Sequence, residues 1–179
     1  KNNFKICNKY MTNLQKNIFL DSDVIILSSS YSEKDLLNID ASIENLISFN
    51  KRIIIFSNKP SFYFKNYQTH IDQFFFKEKK LPEGLDLINM KKKYFNHIDN
   101  KSEKYNLKLE QVANYYNLDF FKTSELICND DEGTCEYITP DKQKLLFDNF
   151  HYTVEGAKYI GRKIFNLGWL NKKNLINSK

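Results

Sequence analysis

Two short runs, DVIILS at residues 23–28 and KRIIIF at residues 51–56, constrain the fold more than any other feature of this chain. Each is an unbroken apolar, largely β-branched stretch with polar residues on both sides. A strand with one wet face alternates apolar and polar side chains; a strand covered on both faces does not. Asp23 to Ser28 and the run after Lys51 therefore predict buried parallel strands, the second stopped by Asn58 and Pro60. Between them, Leu36, Ile39, Ile43, Leu46 and Ile47 recur at helical spacing and predict one amphipathic helix over 34–49. A helical region with aromatic interruptions is expected over 70–117, and Leu118 to Phe121 read as a third short strand. Ahead of the first strand, Cys7, Met11, Leu14 and Ile18 share a helical face. This alternation predicts the α/β class, a three-layer sandwich with a parallel sheet. At 179 residues, 41% hydrophobic and 15% aromatic, the chain has material for a single domain over 1–179 with a real core.

Folds of this class gather reactive groups beyond the carboxyl ends of their strands. Three segments occupy such places: SSSYS after the first strand, SNKPSF after the second, and the loop 122–152 after the third. That loop ends in Asp148 and His151. An aspartate three residues before a histidine in a turn can accept a hydrogen bond from imidazole Nδ1. The tautomer is then fixed and Nε2 is left to take a proton from a hydroxyl. Thr153 stands where it can cap the helix that follows, and Glu155 falls in its first turn. By itself, Asp-x-x-His also fits an ordinary surface pair. His70 and His97, in the helical middle, are read as structural.

Charge narrows the partners. Lys plus Arg number 27 against 22 Asp plus Glu, a mild and dispersed formal excess of +5. The densest cluster, Lys91-Lys92-Lys93, fits a solvated helix face, with contact to an anionic polymer or membrane surface as the lesser reading. No arginine-rich arm, zinc-finger spacing or aromatic-basic signature points to nucleic acid. The longest apolar run is too short to span a bilayer. The chain starts at Lys1 without an initiator methionine, so it is expected to be part of a longer polypeptide. Of its three cysteines, Cys128 and Cys135 bracket the polar stretch CNDDEGTC. They fit a small disulfide ring in an oxidising compartment, or two unrelated thiols. Neither a second cysteine pair nor a nearby histidine completes a metal set, and no cofactor is expected.

The block LFDNFHYTVEGAKYIGRKI resembles the last block of the SGNH (GDSL-like) hydrolase superfamily, in which Asp-x-x-His precedes the C-terminal helix. DVIILSSSYS resembles the strand of that superfamily's third block, and RIIIFSNKPSF the next strand. LEQVANYYNLDFFKTSELIC resembles the helix and strand leading to the final loop. The loop itself, ICNDDEGTCEYITPDKQKLLFDNFH, is most similar to one branch, the SGNH domain associated with integral-membrane acyltransferases that O-acetylate cell-envelope polysaccharides. The resemblance covers about residues 20–165.

It implies an SGNH/flavodoxin-like sheet and acyl transfer through a serine ester, with His151 as general base and Asp148 orienting it. It also implies a carbohydrate polymer as substrate, an acyl donor delivered by a membrane acyltransferase domain, and an extracytoplasmic site tethered to the membrane by upstream segments. A Cys128–Cys135 disulfide follows from that location. Two departures stand out. No Gly-Asp-Ser block is present, and Ser22, in the nearest string Leu20-Asp21-Ser22, precedes a strand instead of following one. The nucleophile and its strand are therefore expected upstream of Lys1. The asparagine usual in the third block is replaced by Ser28-Ser29-Ser30-Tyr31, which makes Ser29 and Ser30 candidates for the oxyanion or substrate. A carbohydrate O-acetylesterase, or an inactive module that binds glycan or a partner enzyme, are the alternatives.

Overall fold

The two apolar runs form adjacent parallel strands, β1 (Val24–Leu27) and β2 (Arg52–Phe56), with Val24 opposite Arg52 and Leu27 opposite Ile55. A third strand, β3 (Asp119–Phe121), joins β2 in parallel with Ile54 opposite Asp119, so the sheet order is β1-β2-β3. These elements come from a computed structural model that describes residues 13–64 and 68–168. The chain divides into two compact units, Lys1–Asn58 with Asn100–Lys122, and Lys59–Asp99 with Thr123–Lys179.

The first unit holds the sheet. Ile53, Ile54 and Ile55 are fully buried, as a strand covered on both faces requires. Ile53 and Ile55 pack with Ile39, Ile43, Leu109, Val112 and Ala113 from flanking helices. Strand β1 departs from the buried strand expected of its sequence: Ile26 is 44% exposed. The reason is topological. Among the described residues β1 has a neighbour on one side only and forms the sheet edge. Helix α1 (Asn13–Asp21) precedes it, and Lys51 Nζ reaches its terminal carbonyls at Leu20 and Ser22. Cys7 and Met11, from the expected helical face, lie outside the described residues.

The single helix expected over 34–49 is two helices, α2 (Glu33–Leu36) and α3 (Ile39–Ile47). Ser32 and Asp35 lock the first turn, because the Asp35 carboxylate accepts from both the Ser32 amide and its hydroxyl. Asn38 then restarts the helix, its carbonyl accepting from the Ser42 amide and hydroxyl. The 70–117 region likewise resolves into α4 (His70–Glu78), α5 (Leu85–Phe95) and α6 (Lys101–Tyr115). Lys79 ends α4 in the left-handed conformation, at φ 56°, and Gly84 opens α5 at φ 54°. After α5, Tyr63 N–H donates to His97 O and Asp99 N–H to Ser61 O, which draws the chain into a short antiparallel contact.

The second unit is held by aromatic rings and local hydrogen bonds. Tyr94 stacks on Tyr137 at 5.0 Å and meets Phe62, Phe64 and His70 edge-on. His70 is buried in that cluster, and His97 lies against it with ring centroids 4.4 Å apart. The segment expected as one long loop, 122–152, contains a 3-10 turn (Thr123–Leu126) and a hairpin of β4 (Cys128–Asn129) and β5 (Thr134–Cys135). Helix α7 (Val154–Asn166) follows.

Candidate active site

Within the second unit, the turn from Phe147 to His151 is closed at its base by main-chain bonds. Phe147 N–H donates to His151 O at 2.7 Å, and Thr153 N–H to Leu145 O at 3.0 Å. Leu145 and Leu146, buried just ahead of it, anchor the turn to the core. Inside the turn Asp148 organises everything. Its Oδ1 accepts from the amides of Phe150 (3.0 Å) and His151 (2.8 Å), and its Oδ2 from His151 Nδ1 at 2.8 Å. A carboxylate cannot donate, so Nδ1 carries the proton and Nε2 is left with its lone pair. The His151 side chain is 64% exposed, whereas that of Asp148 is 17% exposed. An exposed imidazole is thus aimed by a shielded acid.

The electrostatics agree with this division. Burial alone would raise the Asp148 pKa. Hydrogen bonds from the His151 ring and from the Phe150 and His151 amides outweigh it and hold the carboxyl down at about 2. Asp148 is therefore ionised at neutral pH.

Helix α7 fixes the far end of the turn. Thr153 Oγ1 accepts from Gly156 N at 2.9 Å and donates to Lys144 O, so one hydroxyl serves both the helix and the turn. Gly156 is required by close approach, since a Cβ there would lie 2.1 Å from Leu145 O. Glu155 stands in the first turn of α7 and pairs with Lys158 at 2.7 Å. Around His151 the surface is aromatic. Phe150 meets its ring edge-on at 4.5 Å, and Phe147, Phe150 and Val154 are exposed.

The serines lie elsewhere. Ser28, Ser29 and Ser30 are exposed beyond the carboxyl end of β1, in the sheet unit. Ser22 sits ahead of that strand with its hydroxyl donating to Phe19 O at 2.8 Å, which suits a lead-in to the sheet. The structure brings Asp148 and His151 together, in the unit that does not contain these serines.

Sequence reasoning missed Asn58, read only as the stop of a strand. Its buried side chain accepts from Tyr31 N at 2.7 Å and donates to Tyr31 O at 3.0 Å, clamping the segment that follows Ser30. Asn106 braces Asn58 in turn through its backbone N–H, at 2.7 Å. The only signal was an asparagine at a strand tip.

Cys128 and Cys135 face each other across the hairpin with their sulfurs bonded at 2.08 Å. Lys163 of α7 donates to Leu126 O and pairs with Glu136 at 2.9 Å, joining both flanks of the hairpin to that helix. Among the described residues, no group of three or more His, Cys, Asp or Glu could hold a metal ion, and no helix is long and apolar enough to cross a membrane.

Comparison with known proteins agrees with the fold. No curated protein sequence matches significantly. Among solved structures, the chain is similar to the periplasmic domain of the lipopolysaccharide acetyltransferase of Salmonella ser. Paratyphi A, with a TM-score of 0.62 and 16% identity. The likeness covers 87% of this chain and 60% of that one, so this chain spans less than two thirds of its neighbour's length. At this identity the shared feature is the parallel sheet with flanking helices. The sequence itself matches one family over residues 3–165, which include all three strands, the Asp148–His151 turn and most of α7. By that match the chain belongs to the family described as SGNH domain (fused to AT3 domains).

Proposed function

We propose that this domain transfers an acyl group, most simply acetyl, to a hydroxyl of a cell-envelope polysaccharide through a serine ester. The observation that carries the reading is the 2.8 Å contact between Asp148 Oδ2 and His151 Nδ1, which leaves an exposed Nε2 as a base. In the first half-reaction Nε2 removes the serine hydroxyl proton as the oxygen attacks the acyl carbonyl. The bond to the donor's leaving group breaks, and the imidazolium returns the proton to that group. In the second half-reaction a sugar hydroxyl attacks the ester, again with its proton passing to Nε2, and the serine leaves with that proton. Asp148 supports both halves by stabilising the imidazolium.

No serine of residues 1–179 is assigned as the nucleophile; we place it, with its strand, outside this sequence. Among the described residues β1 is paired on one side only, which supports that assignment. Ser29 and Ser30 are retained as candidates for oxyanion or substrate contact on account of their exposure at a strand's carboxyl end. Fusion of the family to AT3 domains supports delivery of the donor by a membrane acyltransferase domain. The bonded cysteines support an extracytoplasmic, oxidising location. With water in place of the sugar, the same groups perform ester hydrolysis, and the exposure of His151 keeps that second reading open.

The test is transfer of labelled acetyl to the polysaccharide by the complete protein. His151→Ala should lower turnover at least about a hundredfold. Its ring is exposed, so folding should be unaffected. Undiminished transfer would overturn the proposal.

A further inference from the structure

Beside the Asp148–His151 turn lies a cation to which the reaction scheme gives no role, Lys59. Its chain neighbours Asn58 and Pro60 are both buried, so its stem is held by the backbone and not by a partner for its charge. The ammonium lies 4.9 Å from the centroid of the Tyr152 ring, next in sequence to His151. Among the described residues it makes no ion pair and no hydrogen bond. Burial lowers its pKa, and Asp148 opposes that shift. Yet Asp148 already accepts three hydrogen bonds from its own turn, and Lys59 is not among the donors. A half-buried ammonium resting on an aromatic face is only partly compensated. The Asp148 carboxylate is within electrostatic reach but forms no direct ion pair with it.

We propose that Lys59 is a specificity-determining residue that binds a carboxylate of the acceptor, so that the substrate is an acidic polysaccharide acylated close to its charged sugar. The inference rests on the acyl-transfer reading, because it takes His151 to serve an acceptor hydroxyl. A cation within electrostatic reach of Asp148, the partner of the proposed base, would hold the charged sugar and present the neighbouring hydroxyl to Nε2. The Asp148 carboxylate, within electrostatic reach of Lys59, repels a doubly charged phosphate more than a singly charged carboxylate. The exposed Phe150 ring against His151 adds an apolar face of the kind on which the C–H side of a sugar ring rests.

Binding and turnover test this separately. In NMR titrations of the chain, sodium glucuronate should shift the Tyr152 ring signals, whereas glucose should not and glucose 6-phosphate should bind more weakly. Lys59→Gln should weaken glucuronate binding about tenfold and Lys59→Arg should keep it. An equal response to glucose, tighter binding of the phosphate, or unchanged binding in Lys59→Gln would overturn the proposal; the first two need no variant. In the complete protein, Lys59→Gln should raise KM for the native acidic polymer about tenfold. It should leave kcat, and transfer to the carboxyl-reduced polymer, unchanged. An equal fall in kcat with both polymers would assign Lys59 to the reacting oxygen instead and sink the idea. His151→Ala should still bind glucuronate, so failure of the acyl-transfer reading and failure of this one remain distinguishable.

Discussion

The sheet unit and the unit carrying Asp148 and His151 reach order by opposite means. In the first, Ile53 and Ile55 find their places because they are apolar and surrounded, with Ile39, Ile43, Leu109 and Val112 as hydrophobic partners. In the second, the decisive segment is exposed. Phe147 and His151 close their turn through the main chain, Asp148 fills its interior, and Thr153 locks its exit. Burial determines where a strand goes; it does not aim a ring nitrogen. Short polar bonds can, and they leave the ring accessible, as the proposed role of His151 as a base requires.

If the sheet unit stands on burial, the largest effect in the molecule should come from its centre. Ile54 is fully buried on the middle strand. Ile54→Ala should destabilise by about 4 kcal/mol, from lost transfer energy and the cavity left behind. Denaturant unfolding gives the magnitude, and hydrogen exchange should show lost protection at Val24–Leu27, Arg52–Phe56 and Asp119–Phe121. A loss below about 1 kcal/mol would mean that the strand is not held by its core, and the contrast would fail.

If the second unit stands on close local geometry, its sensitive point should be a residue with no side chain at all. Gly156→Ala puts a methyl 2.1 Å from Leu145 O, where the carbonyl is fixed by its bond from Thr153 N–H. We expect a loss of about 3 kcal/mol and increased amide exchange over 145–157. At Gly161, on the same helix, an added methyl would meet nothing within 4 Å. Gly161→Ala should therefore be neutral or stabilising by up to about 1 kcal/mol. Equal responses at the two glycines would show that the contact at Leu145 can relax.

The same contrast explains what was legible in the sequence. Unbroken apolar runs announced β1, β2 and their parallel pairing, and in the middle of β2 burial on both faces matches the run residue by residue. Asp148, His151 and the Thr153 cap were legible because their partners are three residues apart. Helix breaks were harder: at Leu37–Asn38 one helix ends and the next begins beneath a continuous apolar face, and periodicity registers only the face. The exposure of Ile26 depends on what lies beside β1, which no local pattern records. Asn58 and Lys59 were missed for a related reason. Asn58 meets Tyr31 across 27 positions of chain, and Lys59 meets the Tyr152 ring from a distant part of the sequence.

The smallest expected effect concerns the charge at the heart of the turn. Asp148 has a pKa of about 2 in the folded chain, against about 3.9 for an unperturbed aspartate. A carboxyl depressed by folding contributes stability above its unfolded value and loses it as pH falls through its folded value. The stabilisation from Asp148 should therefore be complete above about pH 4 and fade toward pH 2. The turn lies at the surface and its His151 partner is exposed, so screening reduces the contribution to the order of 1 kcal/mol. Asp148→Asn should lower stability by that amount at pH 5, and the gap to the parent chain should close as pH approaches 2. Acyl transfer should suffer more than folding does, because a neutral amide neither fixes the His151 tautomer nor stabilises the imidazolium. A gap that persists unchanged down to pH 2 would mean that Asp148 acts by shape alone. The second unit would then owe its geometry to packing, as the first does.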